Sequence, residues 1–204
     1  MHIITIARQF GSGGREIGKR LADLLGYDYY DREIITAVSE RENLSETYVQ
    51  NLLENQAWGS IPLNFHHSFA AQSVMTQPQA KLLAAQREII RKIGESERDC
   101  IIVGRNADVL LADKKPFRIF VCAAEEARIA RCQERAEEGE NLTVREIRRN
   151  LRRIDKNRAI SREFLSEVRW GDPTAYDLVL NTSDGDLKNL VAAAAAFFRT
   201  RIGQ

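Results

Sequence analysis

The segment Arg8-Gln9-Phe10-Gly11-Ser12-Gly13-Gly14 sets three glycines within four positions, directly after the apolar run Ile3-Ile4-Thr5-Ile6. Glycines let successive backbone N–H groups turn inward, and beside a helix N-terminus such a nest holds an anion, phosphate above all. Two registers of a phosphate loop compete. Gly13, Gly18 and Lys19 satisfy G-x-x-x-x-G-K, although Arg20 stands where Ser or Thr would hold magnesium. That register starts the next helix near Lys19, leaves barely two turns before Gly26 and strands Ile17 in the loop. The spacing of Ile17, Leu21, Leu24 and Leu25 instead has the helix under way by about Arg15, which makes Arg8 to Glu16 the loop. Gly11 and Gly13 then face the phosphates, and Gly14 stands where the lysine belongs. Glu16 falls near the usual hydroxyl, and Arg15 or Arg8 is left as the substitute cation. Glycines serving only a tight turn, with Lys19 on a solvated face, remain an alternative. A dinucleotide fingerprint is partly met by Gly11-x-Gly13 and Asp31, but Glu16 fills the place of the third glycine, where its carboxylate repels pyrophosphate.

Two further groups of residues could meet phosphates. Gly104-Arg105-Asn106 follows the apolar run Cys100 to Val103, so Arg105 emerges beside a glycine that permits close approach, and a guanidinium binds phosphate through paired N–H bonds. The alternative is a surface pair of Arg105 with Asp108 or another carboxylate. Arg145, Arg148, Arg149, Arg152, Arg153, Lys156, Arg158 and Arg162 concentrate positive charge on one helix whose narrow apolar stripe is Val144, Ile147, Leu151 and Ile154. A solvated helix supported by Glu146 explains several of these arginines. It explains less well why so many share one helix near the phosphate loop. His66-His67 has no nearby Cys or spaced carboxylates and reads as a loop pair, and no Ser-His-Asp set can be assembled from spacing.

The elements that position these residues read as an alternation of strands and helices. Strands are expected at Ile3 to Ala7, Tyr27 to Asp31, Cys100 to Val103, Phe117 to Ala123 and Leu178 to Leu180. Helices are expected after the glycine loop up to the cap Gly26, over Ala80 to Ile93, over Glu125 to Arg135, from a Thr143-x-x-Glu146 capping box to about Asn157, and over Leu187 to Phe198. Residues 32 to 78 are the least legible, ending in a polar and aromatic stretch from Trp58 to Pro78. The pattern is an open α/β fold with a parallel sheet covered on both faces. Ligands bind outside the carboxyl ends of such strands, which gathers Arg8 to Gly14, Asp31, Gly104-Arg105 and the residues after Ala123 round one cleft.

Composition narrows the classes. The chain has 204 residues, 44% hydrophobic and 29% charged, as expected of one folded domain rather than a disordered or membrane-spanning chain. Thirty Lys and Arg against 29 Asp and Glu leave a net charge of +1, so no global field draws nucleic acid or an anionic membrane, and anion binding has to be local. Cys100, Cys122 and Cys132 are odd in number with no CxxC, and with no signal peptide the reading is a reduced, cytoplasmic setting. Whether the stripe Val144 to Ile154 mediates homo-oligomerisation stays open.

Ile4-Thr5-Ile6-Ala7-Arg8-Gln9-Phe10-Gly11-Ser12-Gly13-Gly14-Arg15-Glu16-Ile17-Gly18, with Tyr29-Tyr30-Asp31, Ile102-Val103-Gly104-Arg105-Asn106-Ala107-Asp108, Asn157-Arg158-Ala159 and Trp170-Gly171-Asp172 to Tyr176-Asp177-Leu178, resembles the cytidylate kinase-like family of P-loop nucleoside monophosphate kinases. The resemblance covers nearly the whole chain. It implies a three-layer P-loop NTPase-type fold, a five-stranded parallel sheet with a nucleotide-monophosphate-binding insert at about 32–90 and a lid at about 134–170. It implies ATP and Mg²⁺ as cofactors and a small nucleotide, CMP or dCMP by the family name, as phosphate acceptor. By position, Arg8 and Gly11, Ser12, Gly13, Gly14, Arg15 and Glu16 meet the ATP phosphates. Asp31, Arg105 and Asn106 meet the acceptor, and Arg152, Arg153, Asp155 and Arg158 belong to the lid. Arg15, Asp31, Arg105 and Arg158 are the residues expected to carry the transfer. The departures are Gly14 and Glu16 in place of a lysine and a hydroxyl residue, and Arg32-Glu33 in place of Ser/Thr-Gly after the aspartate. The same departures suit a nucleotide-binding regulator with little turnover.

Overall fold

The computed structural model describes residues 1–56, 77–136 and 142–203, with the side chains of 54–56 excepted. The expectations for 57–76, including His66-His67 and the aromatic stretch from Trp58, lie outside the described residues. Five strands, β1 (Ile3–Arg8), β2 (Asp28–Tyr30), β3 (Cys100–Val103), β4 (Phe117–Cys122) and β5 (Leu178–Asn181), form one sheet in the order β2-β3-β1-β4-β5. Every pairing is parallel, with Ile4 opposite Ile101 on one side of β1 and Phe117 on the other.

The period of two along β1 assigns its side chains to different layers. Ile4 and Ile6 enter a core with Ile17 and Leu21 of α1 (Gly14–Leu25) and Val191 and Phe198 of α8 (Leu187–Arg201). Ile3 packs on the opposite face with Ile34 of α2 (Glu33–Glu42), Ile90 of α4 (Gln77–Glu95) and Leu111 beyond α5 (Ala107–Leu110). Helices therefore cover both sides of the sheet. Burying each such Ile or Leu contributes about 1.5–3 kcal/mol, which fixes α1 and with it the loop in front of it. Between α2 and α4 the chain continues as α3 (Glu46–Gln50) and a π-helical turn, Asn51–Gln56.

Most element boundaries agree with the sequence reading to within a few residues. Gly26 caps α1 in a left-handed conformation, φ 72°, and its N–H reaches Ala22 O. Thr143 and Glu146 form the reciprocal capping box of α7 (Val144–Glu163), which runs two turns further than Asn157. The stripe on α7 is narrower than expected: Ile147 and Leu151 are buried against Ile129 of α6 (Glu125–Glu134), while Val144, in the first turn, is 42% exposed. No described helix is long and apolar enough to cross a membrane.

Candidate active site

The crevice lies outside the carboxyl end of β1, which β3 and β4 flank on either side and which the crossover from β3 to β4 passes. Gln9 leaves the strand with its N–H on Val121 O at 2.9 Å, and its side-chain oxygen accepts from Ala123 N–H at 3.0 Å. Gly11 and Gly13 take φ of 76° and 81°, a region that costs other L-residues about 1–2 kcal/mol. The loop carbonyls are then held one after another. Arg8 O accepts from Arg158 Nη1 (2.9 Å), Phe10 O from Arg128 Nε (2.7 Å), Gly11 O from Arg131 Nη1 (2.9 Å) and Ser12 O from the Thr182 hydroxyl (2.7 Å). The Ser12 hydroxyl, wholly buried, donates to Gln9 O at 2.9 Å. In contrast, the N–H groups of Gly11, Gly13, Gly14, Arg15 and Glu16 have no hydrogen-bond partner among the described residues, and Gly13 leaves α1 without a side-chain cap. A loop with engaged carbonyls and free amides, leading into a helix N-terminus, is arranged for an anion. It lines a cavity of about 460 Å³ together with Arg131, Arg135, Arg153 and Arg158.

The missing lysine has a geometric explanation. In G-x-x-x-x-G-K terms, read from Arg8, arginine stands at the first glycine and glycine at the lysine, a reciprocal exchange within one loop. A Cβ on Gly14 would lie 2.6 Å from Arg8 Cβ and 2.9 Å from its Cγ, and one on Gly104 would lie 1.6 Å from Arg8 Nη1. The Arg8 side chain thus threads over two glycines from different parts of the chain. Its guanidinium arrives 3.6 Å from Asp31 Oδ1, just beyond the end of β2. Arg15 Nε reaches the other oxygen, Asp31 Oδ2, at 2.7 Å. Both expected substitute cations therefore converge on Asp31. Burial, and next the positive charge of Arg158, push the Arg8 guanidinium well below its ordinary value, and Arg105 and Arg15 act the same way. Several positive charges round one carboxylate leave the crevice short of anions.

On the β3 side, Gly104, Arg105 and Asn106 all adopt left-handed φ, at 77°, 60° and 52°. Consecutive non-glycine residues there store backbone strain, which is the mark of a positioned site. Asn106 is anchored by its Nδ2 donating to Ser161 Oγ at 2.8 Å. The pairing of Arg105 with Asp108 considered from the sequence is not the arrangement found, because Asp108 is paired with Arg162 in the interior. Arg105 and Asn106 line a second cavity, about 90 Å³, bounded by Thr5, Gln86, Arg8, Arg158 and Trp170.

The α7 residues divide. Asp155 accepts from the Phe10 N–H at 2.7 Å and also from Arg128, so one carboxylate and one guanidinium hold both backbone polar groups of Phe10. Arg158 bridges the two cavities and Arg153 lines the larger one. Arg152 lines neither; it is exposed and stands 3.8 Å from Glu125 on α6. Glu16 is held by Arg20 and Arg135. The sequence reading passed over Arg128, Arg131 and Arg135. Their spacing of three and four along α6 and its C-terminal cap, just after β4, is the available signal, since it puts them on one face beside the loop. Residues for a polyphosphate are present. For a metal, the described residues hold no group of three His, Cys, Asp or Glu, and magnesium arriving on a triphosphate takes few protein ligands.

Comparison with known proteins agrees with this geometry. The chain is similar over 98% of its length to 99% of an uncharacterized protein from Eubacterium ventriosum, with 22% identity and a TM-score of 0.69. It is similar to shikimate kinase from Bacteroides thetaiotaomicron (12% identity, 100% of this chain and 99% of that one, TM-score 0.59) and to shikimate kinase from Acinetobacter baumannii in complex with shikimate (12%, 98% and 94%, TM-score 0.57). At such identities the likeness is one of fold, the P-loop kinase fold. No curated protein sequence matches. The model of the cytidylate kinase-like family matches residues 3–184, and the chain therefore belongs to the cytidylate kinase-like family.

Proposed function

We propose that the protein is an ATP- and Mg²⁺-dependent phosphotransferase acting on a small anionic acceptor, with a nucleotide such as CMP the candidate that the family suggests. The observation that carries this reading is the set of amides of Gly11 and of Gly13 to Glu16, unpartnered among the described residues at the mouth of α1 and backed by the engaged carbonyls of Arg8, Phe10, Gly11 and Ser12. Phosphoryl transfer needs positioning and charge neutralisation more than covalent chemistry, and bound ATP supplies the activated phosphoryl group. In this reading the loop amides hold the donor phosphates, with Arg131 and Arg135 beside them. Arg8, Arg105 and Arg158 hold the acceptor's anionic end, and Asp31 orients Arg8 and Arg15. Asp155 keeps α7 seated on the loop so that Arg158 spans donor and acceptor. Residues 32–90 and 134–170 serve as acceptor-binding insert and lid.

The second reading, a nucleotide-binding regulator without useful turnover, is favoured by Gly14 at the lysine position and by Glu16 held between two arginines. The test is phosphate transfer from ATP to a panel of nucleoside monophosphates and hydroxy acids. Turnover that Arg105→Ala abolishes supports the enzyme. Tight ATP binding without transfer to any acceptor supports the regulator, and no ATP binding removes both.

A further inference from the structure

Two buried acceptor atoms on residues lining the smaller cavity make no hydrogen bond. Thr5 is 2% exposed and its hydroxyl has no hydrogen-bond partner; Gln86, on α4, is 7% exposed and its Oε1 has none. Both residues line the 90 Å³ cavity beneath Arg105 and Arg158. Thr5 is also anomalous in its strand. Ile3, Ile4 and Ile6 are fully apolar, and Val in place of Thr would keep the β-branched shape and the strand propensity while losing only the hydroxyl. Leaving a buried hydroxyl and a buried amide oxygen unsatisfied costs stability, and both cost terms vanish when a donor enters. The cavity has room for about three waters at roughly 30 Å³ each, or for one small polar substituent of a ligand. It is too small for a whole nucleotide.

We infer that this cavity is the acceptor-recognition subsite, and that Thr5 and Gln86 read a neutral hydrogen-bond donor, an amine or a hydroxyl, on an acceptor whose anionic end rests on Arg8 and Arg158. The inference rests on the phosphotransfer reading above and adds what that reading lacks, the group on the acceptor that is inspected. Gln86 Oε1 accepts the donor hydrogen, and the Thr5 hydroxyl turns to accept a second hydrogen or to donate to the same group. A substituent that offers only acceptor atoms leaves Gln86 Oε1 unsatisfied unless the amide turns, and so binds more weakly than a donor.

The test uses Thr5→Val and Gln86→Leu in the full chain, with calorimetric titration of CMP, UMP and shikimate in the presence of AMP-PNP, and melting of the unliganded proteins. Thr5→Val is expected to raise the unliganded Tm by about 2–4 °C, because it removes an unsatisfied hydroxyl and nothing else. Each variant is expected to weaken the preferred acceptor about tenfold and to leave AMP-PNP affinity within twofold. CMP bound at least tenfold more tightly than UMP, with the preference erased by Gln86→Leu, identifies the donor as an amine. Shikimate bound more tightly than either nucleotide identifies it as a hydroxyl. Variants that bind acceptors like the parent, a parent with AMP-PNP bound that takes none of the three, or a Thr5→Val protein that melts lower with unchanged affinities would each overturn the inference. In the last case Thr5 and Gln86 merely hold buried water. Failure of AMP-PNP itself to bind strikes the phosphate loop instead and leaves the melting result to judge Thr5.

Discussion

Replacing Gly14 tests whether the Arg8 stem occupies the space of the absent lysine. Gly14 does not need a left-handed backbone, so Gly14→Ala gains helix propensity, about 0.5–1 kcal/mol. Against this, the new Cβ sits 2.6 Å and 2.9 Å from the Cβ and Cγ of a buried side chain, atoms too near the backbone to swing aside. Overpacking of that kind costs about 1–3 kcal/mol. The loosened Arg8–Asp31 contact adds to the loss, since Asp31 retains only Arg15. The net expectation is a destabilisation of about 1–2 kcal/mol, or roughly 2–6 °C for a chain of this size. Gly14→Lys should behave like Gly14→Ala or worse. In an Arg8→Gly background, however, Gly14→Lys has nothing to strike, so the double variant should be about 1–2 kcal/mol more stable than the sum of the singles predicts. Urea unfolding with a circular-dichroism readout measures the four corners of this cycle, and AMP-PNP titration reports whether the loop still binds. A Gly14→Ala protein more stable than the parent, or additivity within about 0.5 kcal/mol, would refute the threading of Arg8 over Gly14.

Three further outcomes are expected. Asp31→Asn leaves two guanidiniums, one of them buried, without their shared carboxylate; stability should fall by about 3 kcal/mol while inorganic phosphate and sulfate protect the variant more than the parent, as thermal shift would show. Tyr29 is pushed up to about 12, first by burial and then by the Asp31 charge, from an unfolded value near 10. The folded state keeps its proton where the unfolded state has lost it, so stability present below pH 10 should drain away between pH 10 and 12, and Tyr29→Phe should flatten that part of the profile. Thr143→Ala breaks the capping box and should cost about 1 kcal/mol in urea unfolding; an unchanged midpoint would show that the start of α7 is held by its packing alone.

Residues with local, periodic signals were legible from the sequence. Ile17, Leu21 and Gly26 carry the register of α1 in their spacing, and through it the loop from Arg8 to Glu16; Thr143 and Glu146 announce α7 in four residues. Residues whose role is set through space were not. Arg152 and Arg153 are neighbours in sequence yet point to Glu125 and to the loop cavity respectively, a division of one helical step that depends on where α6 lies. Asp155 reads as a lid carboxylate until its hydrogen bond to the Phe10 amide, across 145 residues, is seen. Arg15 lines the loop cavity as the sequence suggests, and it also reaches Asp31, a contact that depends on where β2 lies. Thr5 and Gln86 give no local signal at all, since an unsatisfied atom is a property of its surroundings.

Arginine at one end of the loop and glycine at the other constrain which residues this backbone can carry. In this fold a side chain at 14 would collide with the stem of an arginine at 8, and one at 104 would displace that arginine's guanidinium. The residues acceptable at 8, 14 and 104 are therefore coupled by contact. Chains that keep this triad can be sought by Arg, Gly and Gly at those three places, where a search that demands lysine would pass them by.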